Sequence, residues 1–247
     1  MLAEERFRKI LTILQTKNSA TLAELVQALD SSEATIRRDL TELDAQGLLT
    51  KVRGGAVLKK DSYFTKDQDV AVRMTVNPGE KAKIASYAAS LLQPDDFVYI
   101  DAGTTTDMMI DFITQKNVTF VTNAIGHAKK LTQKGYDVYI LGGKFKLSTE
   151  AIVGAEAFES LKKYNFTKGF WGVNGMNPVN GYTTPDAGEA AIKREAMKHC
   201  KEPFILADQS KFSMISSVTF ADFTSAMIIT DGASEELMKE YENIILA

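Results

Sequence analysis

From Glu80 onward, short apolar runs of strand length recur between stretches of helical spacing. They are Phe97 to Ile100, Val118 to Val121, Val138 to Leu141, Gly169 to Val173, Phe204 to Ala207 and Met227 to Ile229. A strand that is apolar without alternation must be buried on both faces, and a parallel sheet between helices supplies that environment. Helical stretches at 124–133, 187–200 and 234–241 separate several of the runs, and Ile84, Tyr87, Ala88 and Leu91 line a further helix that Pro94 ends. The pattern predicts an α/β fold with a doubly wound, mostly parallel sheet over residues 80–247.

Residues 1–58 have a different texture. Phe7, Ile10, Leu11 and Leu14 mark one helix face; Thr21 with Glu24 forms a capping box ahead of Leu22, Leu25, Val26 and Leu29. After the turn Asp30-Ser31-Ser32, a third helix runs through Ile36, Leu40 and Leu43 to about Gln46, and Gly47 ends it. Leu48–Val52 and Ala56–Leu58 read as two strands around Arg53-Gly54-Gly55. This order predicts a winged helix-turn-helix. Residues 59–79 are polar and aperiodic and read as a linker, although Tyr63, Phe64, Val70 and Val72 call for some packing.

Net charge is −3 over 247 residues, which gives no global attraction to nucleic acid, but residues 1–60 hold 10 Lys/Arg against 8 Asp/Glu. A mildly basic head on an acidic body permits DNA binding. The single cysteine, Cys200, excludes an internal disulfide and reads as a small buried hydrophobe on a helix. His127 and His199 stand alone on predicted helices with no metal-ligand spacing, so no metal or cofactor is expected. Phe170, Trp171, Met108 and Met109 read as core. The charged N-terminus lacks the apolar stretch of a signal peptide, and no apolar run approaches a bilayer span, so a cytoplasmic protein with no membrane partner is expected.

On the third helix, Ala34, Arg38 and Thr41 lie opposite the apolar face, with Thr35 and Arg37 flanking. This small, hydroxylated and cationic surface suits a major groove. Ser31 and Ser32 sit where hydroxyls and N–H groups meet a phosphate, and Lys51 and Arg53, beside the Gly54-Gly55 turn, reach backbone or minor groove. Taken alone, Arg37 and Arg38 read equally as surface charges paired with Asp39, Glu42 or Asp44.

In the body, the strand ending at Ile100 runs into Asp101-Ala102-Gly103-Thr104-Thr105-Thr106, followed by a helix over Asp107 to Phe112. N–H groups and threonine hydroxyls at a helix start make an anion site, although threonines that merely cap the helix give the same string. Thr122-Asn123, Gly142-Gly143-Lys144, Asn174-Gly175 and Asp208 with Lys211 fall at other strand ends, where an open α/β sheet places its ligand crevice.

Ser32-Glu33-Ala34-Thr35-Ile36-Arg37-Arg38-Asp39-Leu40, then Gly47-Leu48-Leu49 and Arg53-Gly54-Gly55-Ala56, resembles the DeoR family of bacterial regulators. One departure is Lys51-Val52-Arg53, where the family more often has arginine first and histidine third. The body resembles the effector domain of that family, similar in fold to ribose-5-phosphate isomerase, glucosamine-6-phosphate deaminase and CoA transferases. The matching motifs are Asp101 to Thr106, Thr122-Asn123, Leu141-Gly142-Gly143, Gly175, Glu189 to Lys193, Ala207-Asp208 with Ser210-Lys211, and Ile229-Thr230-Asp231. The resemblance implies that Gly103, Thr104, Thr105 and Thr106 bind a phosphate with help from Lys211. It also implies that Asp101, Asn123 and Glu189 hold sugar hydroxyls.

The expected function is a transcriptional regulator, a repressor of a sugar-uptake or catabolic operon, whose grip on double-stranded operator DNA is set by a phosphorylated sugar. One head covers few base pairs, so a homo-oligomer, dimer or tetramer, is expected. The alternative is a sugar-phosphate isomerase or deaminase with a DNA-binding appendage, using Asp101, Glu189, Lys193 and Lys211 as acid and base. No histidine or carboxylate pair is spaced for proton transfer at the loop, which favours a protein that is not an enzyme. A body that serves only for oligomerisation is a third reading.

Overall fold

A computed structural model describes residues 3–17, 19–45, 48–58, 62–64 and 69–247 of the chain. The chain divides into two compact units, Met1–Ser62 and Tyr63–Ala247.

In the first unit, α1 (Ala3–Lys17) leads into a short strand β1 (Ser19–Thr21), then α2 (Leu22–Leu29) and α3 (Glu33–Ala45). The capping box expected at Thr21 is present: the Thr21 hydroxyl accepts from the Glu24 amide while the Glu24 carboxylate accepts from the Thr21 amide. Asp30 ends α2 in the left-handed region at φ +45°. Ser32 then caps α3, its Oγ accepting from the Thr35 amide at 3.2 Å. Ile10, Leu14, Leu25, Ile36, Leu40 and Leu43 form the core of this unit.

The wing is β2 (Leu49–Val52) and β3 (Gly55–Leu58), and β1 adds a third antiparallel strand that the sequence pattern does not announce. Thr21 pairs with Gly55, where a Cβ would lie 2.2 Å from the Ala20 carbonyl oxygen, so the approach of β1 requires glycine. The expected helix stop at Gln46-Gly47 lies outside the described residues.

Residues 59–61 and 65–68 are also outside the described residues; Ser62–Phe64 forms β4. A six-residue helix, α4 (Val70–Thr75), follows, and α5 (Pro78–Ser90) begins with Pro78 in its first turn. Half-exposed Val72, Met74 and Val76 show how little of α4 is buried.

The second unit then alternates β5 (Phe97–Ile100), α6 (Thr104–Phe112), β6 (Thr119–Thr122), α7 (Ile125–Gln133) and β7 (Asp137–Ile140). A hairpin of β8 (Lys144–Lys146) and β9 (Ala151–Val153) leads to α8 (Ala155–Leu161) and β10 (Phe166–Gly172). Two more short strands, β11 (Gly175–Asn177) and β12 (Gly181–Thr184), precede α9 (Ala187–Lys198) and β13 (Cys200–Leu206). The chain closes with β14 (Met214–Ser216), β15 (Val218–Ala221), β16 (Met227–Thr230), α10 (Glu235–Glu240) and β17 (Ile244–Leu246).

The main sheet has seven parallel strands in the order β17-β16-β13-β10-β5-β6-β7. Successive side chains feed two cores. Val98, Ile100, Phe170, Phe204 and Ile229 pack with residues of α5, α6 and α7; Tyr99, Trp171, Ile205 and Ile228 pack with α8, α9 and Tyr182. Burial on both faces is the physical reason these strands read as uninterrupted apolar runs, and it makes the sheet doubly wound. Phe170, Trp171 and Met109 are core, as expected.

Three features differ from expectation. The antiparallel sheet β11-β12-β15 that covers part of one face was not foreseen, because its strands are short and polar. The helix expected from Asp107 begins three residues earlier, at Thr104. Cys200 is not on a helix: α9 ends at Lys198, and Cys200 opens β13, half-buried, with burial pushing its thiol up to about 12.

Candidate functional site

Two constellations carry chemistry, one in each unit. On α3, Ile36, Leu40 and Leu43 face the core while Ser32, Ala34, Arg37, Arg38 and Thr41 are exposed. Arg37 pairs with Glu33 one turn back, at 2.6 Å. Arg38 has no hydrogen-bond partner among the described residues. Asp39, a candidate counter-ion for these arginines in the sequence, points the other way: it is buried and held bidentately by Arg6, at 2.7 and 3.0 Å. That pairing removes Asp39 from the outer face of α3, where Arg37 and Arg38 are exposed together with Glu33, Glu42 and Asp44.

The wing is tied to the same face. Lys51 Nζ donates to Thr41 Oγ1 at 2.6 Å, and Thr41 Oγ1 donates to the Arg37 carbonyl at 2.7 Å. Thr35 is half-buried, its hydroxyl 2.8 Å from Ser32 Oγ. Ser31 Oγ donates to the Leu29 carbonyl at 3.0 Å. Arg53 and Gly54 are exposed at the wing turn, whereas Gly55 is buried beneath β1.

In the second unit an open cleft of roughly 650 Å³, counted out to bulk solvent, lies where β5, β10 and β13 end. It gathers Gly103, Thr104, Thr105, Glu189 and Lys211 from the expected residues. The first three form the start of α6, whose opening amides have no carbonyl within the helix to bond; the first intrahelical bond runs from the Asp107 amide to the Gly103 carbonyl at 2.9 Å. The cleft therefore presents free N–H groups and the positive end of a helix dipole.

The other expected residues lie beneath or beside it. Thr106 is fully buried, and its hydroxyl donates to the carbonyls of Asp101 and Gly103 at 2.7 and 2.9 Å, fastening the loop. Asn123 Oδ1 accepts from the Ala102 amide at 2.8 Å and supports the same loop from β6. Asp101 is buried and ion-paired with Lys193 Nζ, which also donates to the Gly172 carbonyl at 3.1 Å. Burial raises the Asp101 carboxyl above its ordinary range in spite of Lys193. Gly143 and Lys144 are exposed at the start of the β8 hairpin. Gly175 opens β11, where a Cβ would meet the Met214 carbonyl oxygen at 2.1 Å.

Two cationic residues of the cleft were not singled out from the sequence. Arg73 comes from α4 and Lys81 from α5. The Arg73 Nε and one terminal nitrogen are buried without a hydrogen-bond partner. Lys81 Nζ donates to the Arg73 carbonyl, and burial, then the nearby Lys211 charge, brings the Lys81 ammonium down to about 8. Asp208 supplies the strongest opposing charge at Lys81. Burial works against its carboxylate, but Lys211, Ser210 and Asn77 outweigh that and hold it below the ordinary range. Glu189 is engaged by Lys146 at 3.0 Å and Thr149 at 2.5 Å. The cleft thus brings two enclosed nitrogens of a half-buried guanidinium together with two lysines and a helix N-terminus, groups that donate to anions.

Known proteins match both halves of this arrangement. Residues 6–62 match the DeoR-like helix-turn-helix domain, and residues 76–232 match the DeoR C terminal sensor domain. The chain belongs to the DeoR family. It is a DNA-binding transcriptional regulator of that family, similar over its whole length to named relatives. It is 40% identical to the uncharacterized HTH-type transcriptional regulator FruR of Bacillus subtilis, over 98% of this chain and 96% of that protein. It is 33% identical to the HTH-type transcriptional repressor GlcR of the same organism (94% and 89% covered). The lactose phosphotransferase system repressor of Staphylococcus aureus is 30% identical (98% and 97% covered). Among solved structures, ribose 5-phosphate isomerase A of Methanocaldococcus jannaschii is similar over 55% of each chain, with a TM-score of 0.41 and 15% identity. Among the described residues of this DeoR-family regulator, no helix is long and apolar enough to cross a membrane.

Proposed function

We propose that this DeoR-family regulator represses a sugar-uptake or catabolic operon from the cytoplasm and that a phosphorylated sugar in the β5-β10-β13 cleft sets its affinity for operator DNA. The observation that carries the reading is Arg73, whose guanidinium has two buried nitrogens and no partner. A phosphate monoester accepts from that fork, from Lys81 and Lys211, and from the amides that open α6. Glu189 and Lys193 line the remainder of the cleft and suit hydroxyls. The names of the relatives, repressors of a lactose phosphotransferase system among them, support a sugar-related role.

The head contributes Ser31, Ser32, Ala34, Thr35, Arg37, Arg38 and Thr41 around α3, with Lys51, Arg53, Gly54 and Gly55 in the wing. A single α3 reads only a few base pairs, so the working unit is a homo-oligomer on repeated half-sites. The effector acts by binding the DNA-bound and DNA-free arrangements with unequal affinity. Of the four acid-base candidates, Asp101 and Lys193 are ion-paired with each other and Glu189 is held by Lys146 and Thr149, which supports binding of the effector without conversion.

The test is a panel of aldose and ketose phosphates. Each is scored for thermal stabilisation of the full chain and then for release of a duplex that the protein has selected from a random pool. A binding sugar phosphate raises the melting temperature by mass action and shifts DNA affinity. Thr105→Glu, which puts a carboxylate at the start of α6, abolishes both effects and leaves DNA binding unchanged. Stabilisation of Thr105→Glu equal to that of the wild type would move the phosphate elsewhere, and turnover of any panel member would make the protein an enzyme.

A further inference from the structure

A second cleft, of roughly 320 Å³ on the same count, shares the Ala102-Gly103 turn with the first. Both clefts are lined by these two residues, and α4 borders both, with Arg73 and Val76 on the cationic side and Val70 and Met74 on the other. A further link joins them. Thr149 lines the second cleft, and its Oγ1 lies 2.5 Å from Glu189 Oε1 in the first.

The polar character changes across the turn. The cationic cleft carries Arg73, Lys81 and Lys211; the second carries His127, Asp107 and Glu150. His127 is 5% exposed, and its Nδ1 is buried with no hydrogen-bond partner. Its Nε2 stands 3.8 Å from Asp107 Oδ1, while Lys130 holds the other Asp107 oxygen at 3.0 Å. Burial drives the imidazole down to about 4 in spite of Asp107, so at neutral pH it is uncharged. Glu150 is exposed and sits in the left-handed region at φ +52°, which a residue with a Cβ seldom adopts.

We propose that this second cleft receives the hydroxyl-bearing end of the effector, with His127 and Glu150 as its specificity-determining residues. The proposal rests on the phosphate reading above and extends it across the turn. A second phosphate is excluded from this side by the two carboxylates. A sugar hydroxyl, which donates and accepts at once, suits a carboxylate together with a neutral imidazole nitrogen that lacks a partner. The phosphate is thus the part of the ligand shared by all candidates and the second cleft the part that tells them apart, because missing a buried polar partner costs more than a gained contact returns.

The experiment is isothermal calorimetry on the full chain at pH 7.5, comparing inorganic phosphate with hexose and pentose phosphates for the wild type, Glu150→Gln and His127→Gln. Wild-type protein is expected to bind at least one sugar phosphate about tenfold or more tighter than inorganic phosphate. Both variants are expected to lose most of that advantage, with affinity for inorganic phosphate moving by less than about twofold. Glu150 is exposed, so Glu150→Gln carries the test alone if His127→Gln fails to fold. An undiminished sugar advantage in the variants overturns the proposal, as does a wild-type protein that prefers no sugar phosphate to phosphate itself; the phosphate reading survives both results. If wild-type protein binds neither inorganic phosphate nor any sugar phosphate, the phosphate reading fails first and this inference falls with it.

Discussion

The two units use arginine in opposite ways. On α3, Arg37 and Arg38 are exposed, where water and Glu33 satisfy the guanidinium groups until a polyanion displaces them. In the sensor-domain cleft, two nitrogens of Arg73 are shielded from solvent and have no protein hydrogen-bond partner. Exposed cations give a modest, salt-screened grip that is easily reversed, which suits a protein that must leave its operator. Enclosed guanidinium nitrogens beside Lys81 and Lys211, with Asp208 as counter-charge, favour a small anion that can donate nothing and accept several hydrogen bonds. On the proposed reading, the difference keeps two phosphate-bearing partners apart: a duplex is too wide for the cleft, and a small anion gains little on the open face.

The largest effect should follow from Arg73→Gln. Removing one partner of a buried, hydrogen-bonded charge pair costs roughly 2–5 kcal/mol, so calorimetric affinity for a phosphate ester should fall by about thirtyfold or more. The comparison also sets the sign for the ligand-free protein: two enclosed nitrogens without a hydrogen-bond partner are gone, so the ligand-free variant should melt no lower than the wild type. A variant that keeps its phosphate affinity would show that Arg73 resembles the surface arginines after all.

Arg38→Ala tests the other side and should weaken operator binding by roughly 1–3 kcal/mol if the guanidinium reads a base. The loss should be confined to sequences that carry the cognate base, while binding to random duplex changes little. An unchanged operator affinity at fixed salt would assign the readout to another part of the α3 face.

This contrast also decides what was legible in the sequence. The head is a local structure. Nine contiguous residues, a capping box at Thr21 and a glycine turn at Gly54 specify it almost completely, because the residues that act together lie within a few turns of one another. The sheet was legible for a different reason, since burial on both faces leaves an unbroken apolar signature in Phe97–Ile100 or Phe204–Leu206. The cleft was legible only in part. Thr104, Thr105 and Lys211 lie at strand ends where a crevice is expected, but Arg73 comes from the aperiodic stretch 59–79 that reads as linker, and Lys81 from the first turns of the helix lined by Ile84, Tyr87, Ala88 and Leu91, where a lone lysine carries no signal. What brings Arg73 to the cleft is a hydrogen bond from Lys81 to its own carbonyl and a six-residue helix with no buried residue, and no pattern of apolar spacing encodes either. Thr106 and Asn123 show the reverse error that a motif invites. Both belong to the motif, yet the Thr106 hydroxyl and Asn123 Oδ1 bond the backbone of the loop, and neither residue lines the cleft.

A pH series separates the two environments further. Lys81 sits at about 8 in the empty cleft, below its unfolded value, with burial as the main cause. Near pH 7 it is charged and attracts phosphate; above pH 8 it is neutral in the empty site, and binding then requires uptake of a proton. Phosphate-ester affinity should therefore fall by about tenfold for each pH unit above 8, with proton uptake visible as buffer-dependent heat. Stability of the empty protein responds with the opposite sign. A folded pKa below the unfolded one means the unfolded chain holds more protons between pH 8 and the ordinary lysine range, so this group's contribution to stability rises with pH across that window. DNA binding, which relies on exposed arginines, should show no matching step. A phosphate affinity flat from pH 7 to 9.5 would place Lys81 outside the anion's reach.

The smallest effect belongs to Lys51, and it bears on how the wing meets the duplex. Its Nζ donates to Thr41 Oγ1 at 2.6 Å, so the ammonium is parked on the exposed face of α3 rather than extended into solvent. That bond ties the wing strand to the helix, and on the proposed reading the ammonium adds a phosphate contact beside the groove. Lys51→Ala should reduce the slope of log affinity against log salt by about one, the signature of a single phosphate contact, with little change in preference among sequences. Lys51→Arg should restore the slope, since a guanidinium reaches both Thr41 and a phosphate. If the slope stays the same in Lys51→Ala while sequence preference relaxes, the lysine acts by positioning α3, and the bond to Thr41 rather than the charge is what the wing contributes.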